Sequence, residues 1–344
     1  MSHGTFSARG RAVYNWILFA VIAILLCFNG FCAPAFAENS GEKYVYVGGY
    51  PVGISLDVGG LLVESVTGVE TEYGTAYVEG LDKGDIITHI GGVSVDDIND
   101  ISDVLKTDDA VSVKLCRDGQ TLEITIKPVA ELYTGKPRLG VKIKDKLYGV
   151  GTVTFVREDG TFAALGHEIY DSDSGTHIPF AGGHIHACKV IGIKRGEKNE
   201  HGKKTEAGAI LASLVPDKVY GDVCCNNSFG IGGKFTSEFD KTEKYPLGTA
   251  DDVRPGAAKI RTTVGGSPEY FDVEIIKAVK QTQRKEKGIV IRVTDKRLLD
   301  ATGGIVRGMS GSPVIQDGKL VAAVTHVFLT DFTKGYGVYA EFLN

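Results

Sequence analysis

The stretch "VSVKLCRDGQTLEITIKPV", residues 111–129, alternates apolar and polar positions on both sides of Asp118-Gly119. A period of two puts every second side chain on one face of a strand, and Asp-Gly supplies the positive φ angles of a two-residue hairpin turn. The stretch predicts a β-hairpin. Just upstream, "DDINDISDVLK" (96–106) breaks the alternation, because Ile98, Ile101, Val104 and Leu105 recur at helical spacing behind an Asp able to cap a helix. Earlier still, "YVYVGGYPVGISL" (44–56) contributes an apolar run, a Pro-Val-Gly turn and renewed alternation. Residues 44–134 therefore predict a small α+β module.

From residue 139 onward short apolar runs recur: "GVGTVTFV" (149–156), "AGAILASLV" (207–215), "YFDVEIIKAV" (270–279), "GIVIRVT" (288–294) and "PVIQDGKLVAAVTHVFL" (313–329). Gly, Asp-Gly or polar clusters bound them and no long amphipathic helix intervenes, which predicts an all-β domain of barrel or sandwich class. The 45 glycines in 344 residues, about twice the ordinary share, fit many turns between short strands. The polar stretch "AELYTGKPRLGVKIKDK" (130–146) holds Gly135 and Pro137 and sets a boundary near residue 135. "RGEKNEHGKKTE" (195–206) reads as an exposed loop.

Residues 1–37 contain Arg9 and Arg11 but no Lys, Asp or Glu, then an unbroken apolar run from Trp16 to Phe28 and small residues at Ala35 and Ala37. That is the pattern of a signal peptide with an A-x-A cleavage site, or of a membrane anchor where it is retained. Either way the remainder is expected to work outside the cytoplasm. A net charge of −5 argues against a nucleic-acid or anionic-membrane binder. Cys27 and Cys32 fall in the targeting segment; Cys116, Cys188, Cys224 and Cys225 lack C-x-x-C spacing and read as buried thiols.

"GGIVRGMSGSPVIQDGK" (303–319) sets Ser310 among glycines ahead of a strand. A serine hydroxyl attacks only when a base takes its proton. Gly308 and Gly311 let the chain turn sharply, so that the N–H groups of Gly308 and Ser310 could face a developing oxyanion. The expected base is His167 in "FAALGHEIYDSDSG" (162–175), where an apolar run and a Gly open into a loop. His326 in "AVTHVF" (323–328) is the second choice, though its alternating strand context reads as structural. Asp295, Asp171 and Asp173 are open as the orienting acid. His184, His186 and Cys188 form H-x-H-x-C, but no fourth zinc ligand is evident, so no metal and no other cofactor is expected.

"GLDKGDIITHIGGVSVDDINDISDVL" (80–105) resembles the helix, strand, turn, strand and second helix of a PDZ domain. "YPVGISL" (50–56) is similar in place to that family's carboxylate-binding loop. The resemblance implies that Val52, Gly53, Ile54 and Ser55 capture peptide C-termini through backbone N–H groups. The C-terminal domain resembles the SpoIVB-type peptidases of endospore-forming bacteria. "ALGHEIYDSD" (164–173), "NSFGIGG" (227–233) and "RVTDKRLLDATGGIVRGMSGSPVIQDGKLVAAVTHVFL" (292–329) carry it, and the order of anchor, PDZ and protease matches.

That resemblance implies a mainly β protein: a PDZ domain at 44–134, then a chymotrypsin-like double β-barrel serine peptidase at 135–344. It implies Ser310, His167 and Asp295 as the triad. "GMSGSP" (308–313) is similar to the "GDSGGP" of chymotrypsin-like enzymes, but Met309 stands where those enzymes carry the Asp that bonds their activated N-terminus. Activation is not expected to follow that route. The family further implies self-processing in the N-terminal region and export to the space between mother cell and forespore. There it implies cleavage of a membrane-bound regulatory protein, which activates an intramembrane protease that processes a late sigma-factor precursor. A catalytically silent PDZ scaffold of the spore envelope space is the alternative.

Overall fold

The computed structural model describes residues 43–171, 180–198, 204–281 and 283–343. The expectations for residues 1–37 and for Asp173 lie outside them, and among the described residues no helix is long and apolar enough to cross a membrane.

Two barrels make up most of the chain. In the first, the strands Val141–Val156, Thr161–Ala164, Gly230–Phe235, Ala209–Asn227, Gly183–Lys194 and Pro51–Val66 pair in that order. The last then pairs back to the first, closing the ring. Alternation explains its core: Val52, Ile54, Leu56 and Val58 point inward from one strand and meet Val153, Phe162 and Ile185. The second is a closed six-stranded barrel of Gly256–Thr262, Glu269–Ala278, Ile289–Val293, Asp331–Tyr339, Lys319–Phe328 and Pro313–Gln316. Ile260, Phe271, Ile275, Ile291, Val314 and Tyr339 fill it. Its Asp317-Gly318 turn and the Asp118-Gly119 turn both take the positive φ values of two-residue hairpins, 50° and 77° in each case.

The small module has its own core, in which Leu61, Val63, Ile87, Ile90, Val113 and Leu115 pack together. It holds the predicted hairpin, paired from Val111↔Ile126 to Arg117↔Gln120, and one short helix, Asp100–Val104. Within its sheet Asp85 is almost fully buried and meets Arg117 through two 2.7 Å hydrogen bonds.

The module does not begin where the alternation begins. Tyr44–Val47 pairs with the barrel strand Val141–Val156, and residues 51–57 pair with that strand and with Gly183–His186. Only past Gly59 and Gly60, with φ of 71° and 151°, does the same strand enter the module, pairing Leu61↔Ile87 and Leu62↔Ile86. A Cβ on Gly60 would stand 2.5 Å from the Ile87 carbonyl oxygen, so this crossing needs glycine. The return strand behaves likewise: Val141–Lys144 faces residues 62–66, whereas Lys146–Thr152 faces residues 51–57. A cut at 134/135 therefore divides one barrel, because period-two patterning reports the buried face and is silent about the partner strand.

A chain of residues 135–344 lacks the strand 51–57, leaving the sites of Val52, Ile54 and Leu56 empty and two strand edges unpaired. It is expected to show no cooperative thermal transition by near-UV circular dichroism, while residues 43–344 melt cooperatively.

Candidate active site

Arg307–Ser312 is held between the barrels by its backbone. Arg307 exchanges bonds with Gly208 and Ile210, Gly311 N–H donates to Val324 O (2.7 Å), and Ser312 N–H donates to Met309 O (2.9 Å). Gly308 and Gly311 have φ of 95° and 93°. At Gly311 a Cβ would lie 2.0 Å from Thr152 O, so the loop cannot approach the first barrel with any side chain there. Met309 is fully buried in the second barrel's core, which accounts for an apolar residue beside the serine. Among the described residues neither the Gly308 nor the Ser310 N–H has an acceptor, as an oxyanion site requires.

Thr152 ties this loop to the first barrel. Its N–H donates to Ser310 O at 3.0 Å, its hydroxyl donates to Gly308 O at 2.8 Å, and its carbonyl accepts from Leu165 N–H at 3.2 Å. Leu165 and Gly166 have φ of 68° and 73°. Two left-handed residues in succession, one of them a buried Leu, reverse the chain at the strand end and present His167 to the cleft.

The ring of His167 makes one hydrogen bond, from Nδ1 to Glu168 O at 2.9 Å. A carbonyl only accepts, so Nδ1 carries the proton and Nε2 is bare, the tautomer a general base needs. Burial pushes the His167 pKa down, opposed by the Glu168 carbonyl and by Glu286. The Ser310 hydroxyl donates to Thr325 O at 2.8 Å. The next residue, His326, lies with its ring 4.9 Å from that of His167. The structure thus gathers Ser310, His167 and His326.

Asp295 is not part of that group. It caps the helix Lys296–Thr302, accepting from Arg297 N–H at 2.8 Å and from the Arg297 guanidinium, and it also accepts from Asp272 N–H at 3.2 Å. The Arg297 guanidinium holds its carboxyl down to about 2. None of these bonds reaches His167, and Glu168 O takes the place on Nδ1 where an orienting acid would sit. Asp171 is buried in an ion pair with Lys144 at 2.5 Å. Proximity in sequence to Ser310 carries no information about contact with His167, which comes from the other barrel.

The histidines of the H-x-H-x-C run use their nitrogens otherwise. His184 meets Asp222 at 3.0 Å, and His186 receives the Ser55 hydroxyl at Nε2 (2.7 Å) while Nδ1 donates to Pro216 O (2.9 Å). All four described cysteines are free thiols, but none is fully buried: Cys224 is exposed and Cys116, Cys188 and Cys225 are half-buried.

Val52, Gly53, Ile54 and Ser55 do not form a peptide-binding loop. They are strand residues, Gly53, Ile54 and Ser55 with neighbours on both edges; Val52, Ile54 and Ser55 are buried, and a Cβ on Gly53 would meet Leu214 at 2.2 Å. The module's open groove lies elsewhere: a cavity of about 670 Å³ between Leu139–Gly140–Val141 and the helix side bearing Ile98, Ile101 and Leu105. Gly140 has φ of 64°, and among the described residues the Leu139 and Gly140 N–H groups have no acceptor. The signal was the apolar-Gly-apolar triplet in "PRLGV" (137–141), hidden inside a polar stretch that reads as a linker.

Comparison with known families fits this layout. A family model for the SpoIVB peptidase S55 matches residues 135–343, and a PDZ domain model matches residues 71–117. The chain belongs to the SpoIVB peptidase family and is a serine peptidase of the sporulation class. No curated protein matches it.

Two results are expected. With His167 as the general base, burial that lowers its pKa should put the acid limb of kcat/KM below pH 6.5, the unperturbed histidine value, in a pH–rate profile. Asp295→Ala removes a helix cap and should cost about 1 kcal/mol in thermal unfolding, whereas Asp295→Asn keeps the acceptor and costs less.

Proposed function

We propose that Ser310 and His167 perform peptide hydrolysis in this chain. The observation that carries the reading is the Nδ1–H tautomer of His167, bonded to Glu168 O, beside a serine loop with two unbonded N–H groups. The Ser310 hydroxyl turns from Thr325 O to the bare Nε2, gives up its proton and attacks the scissile carbonyl. The oxyanion is met by the N–H groups of Gly308 and Ser310, and His167 returns the proton to the leaving amine. Water then repeats the sequence on the acyl-enzyme. These steps use the chain's own groups alone.

The resemblance of the whole chain to sporulation peptidases supports a membrane-bound regulatory protein as substrate. Its cleavage would activate an intramembrane protease that acts on a late sigma-factor precursor. It also supports trimming of the chain's own N-terminal region and a location across the membrane, between mother cell and forespore. Peptide C-termini fit the groove at Leu139–Gly140, where two free N–H groups can meet a carboxylate and the strand edge at Val141 can receive a peptide.

A fluorophosphonate probe tests the reading on the full chain. Wild type is expected to label at Ser310, Ser310→Ala not at all, and His167→Ala slower by about 10³-fold or more. Wild type should also yield shortened N-termini that Ser310→Ala lacks. A wild-type chain that resists the probe is the silent scaffold.

A further inference from the structure

A base that must meet a serine from another barrel needs two constraints. One is a bond that sets its tautomer, which Glu168 O supplies. A single hydrogen bond still lets the ring swing about that bond, so a second contact must close one face. The His326 ring does so, 4.9 Å from the His167 ring and tilted by 38°.

The backbone around His326 explains why that contact matters. Val324 O accepts from Gly311 N–H at 2.7 Å and Thr325 O accepts from the Ser310 hydroxyl at 2.8 Å. Three consecutive residues of one barrel strand thus hold the serine loop twice and then touch the histidine. Gly166, just before His167, also packs here, since a Cβ on it would lie 2.9 Å from the Thr325 methyl group. Alternation turns His326 toward solvent, where a strand residue ordinarily has nothing to pack on.

We propose that His326 is a positioning residue, whose tilted ring packs against His167 and holds that imidazole across the gap between the barrels, facing Ser310. The role rests on the Ser310–His167 reading. His326 is not a second base, for its ring makes no hydrogen bond among the described residues and the Ser310 hydroxyl goes to Thr325 O. Desolvation of the packed ring, with His167 and Lys287 adding to it, holds His326 down to about 4. The ring is therefore neutral at pH 7 and adds no positive charge beside His167 when that imidazole takes the serine proton. The charged groups facing the pair are Glu286, which favours a protonated His167, and Lys287, which opposes protonation of His326.

The test is the rate of fluorophosphonate labelling of the full chain against pH, with thermal melts, for His326→Ala, His326→Phe and His167→Ala. Losing the packed face should slow His326→Ala by about tenfold or more, the scale of small misplacements in a reacting pair. Its acid midpoint should also rise as water reaches His167. His326→Phe, which restores a flat neutral ring, should recover most of the rate and the low midpoint. Full-rate labelling of His326→Ala would overturn the proposal, as would a His326→Phe chain as slow as His326→Ala, or a fall in melting temperature shared by both. Wild-type labelling of His167→Ala would instead show that the underlying Ser310–His167 reading is wrong, and the role of His326 falls with it.

Discussion

Thr152 is the point on which the catalytic geometry depends. Its N–H and hydroxyl hold Ser310 O and Gly308 O of the second barrel, while its carbonyl holds Leu165, two residues before His167. It is 2 % exposed, so water does not compete for these bonds. One residue of the first barrel thereby ties the loop of Ser310 to the turn that carries His167, the two residues proposed as nucleophile and base. The glycine at 311 follows from it, since a Cβ there would meet the Thr152 carbonyl oxygen.

Around that point the site is arranged to keep imidazoles neutral. Both His167 and His326 have pKa values pushed below the ordinary range, chiefly by loss of water. A buried acid on His167 would pull the other way and raise its pKa. A carbonyl acceptor fixes the same tautomer with only a partial charge.

Much of this was legible in the chain. The Asp118-Gly119 and Asp317-Gly318 turns adopt the conformations their residue types demand, and the apolar faces beside them form the cores. Ser310 and His167 stand out in the sequence because glycine beside a polar residue at a strand end marks a sharply turned backbone, and Gly166, Gly308 and Gly311 do take positive φ. What was missed has one physical origin. Residues 51–57 look alike in any sheet, so their partner strand could not be inferred. The ring contact of His326 was not legible for the same reason, since whether one ring packs on another depends on tertiary contact and not on periodicity. Leu139–Gly140 was passed over because a charged neighbourhood resembles a linker.

The crossing at Gly59–Gly60 has a thermodynamic side. Seen from the first barrel, 51–57 and 146–152 are adjacent antiparallel strands, and everything between them is one connecting loop. Were that loop a flexible coil of roughly 90 residues, bringing its ends together would cost on the order of 4 kcal/mol of chain entropy. The folded module removes most of that cost, because its own sheet already holds Val66 opposite Val141 and hands both chains to the barrel in register. The peptidase barrel is therefore as stable as it is only while its insert is folded, and damage confined to the insert is felt as unfolding of the enzyme.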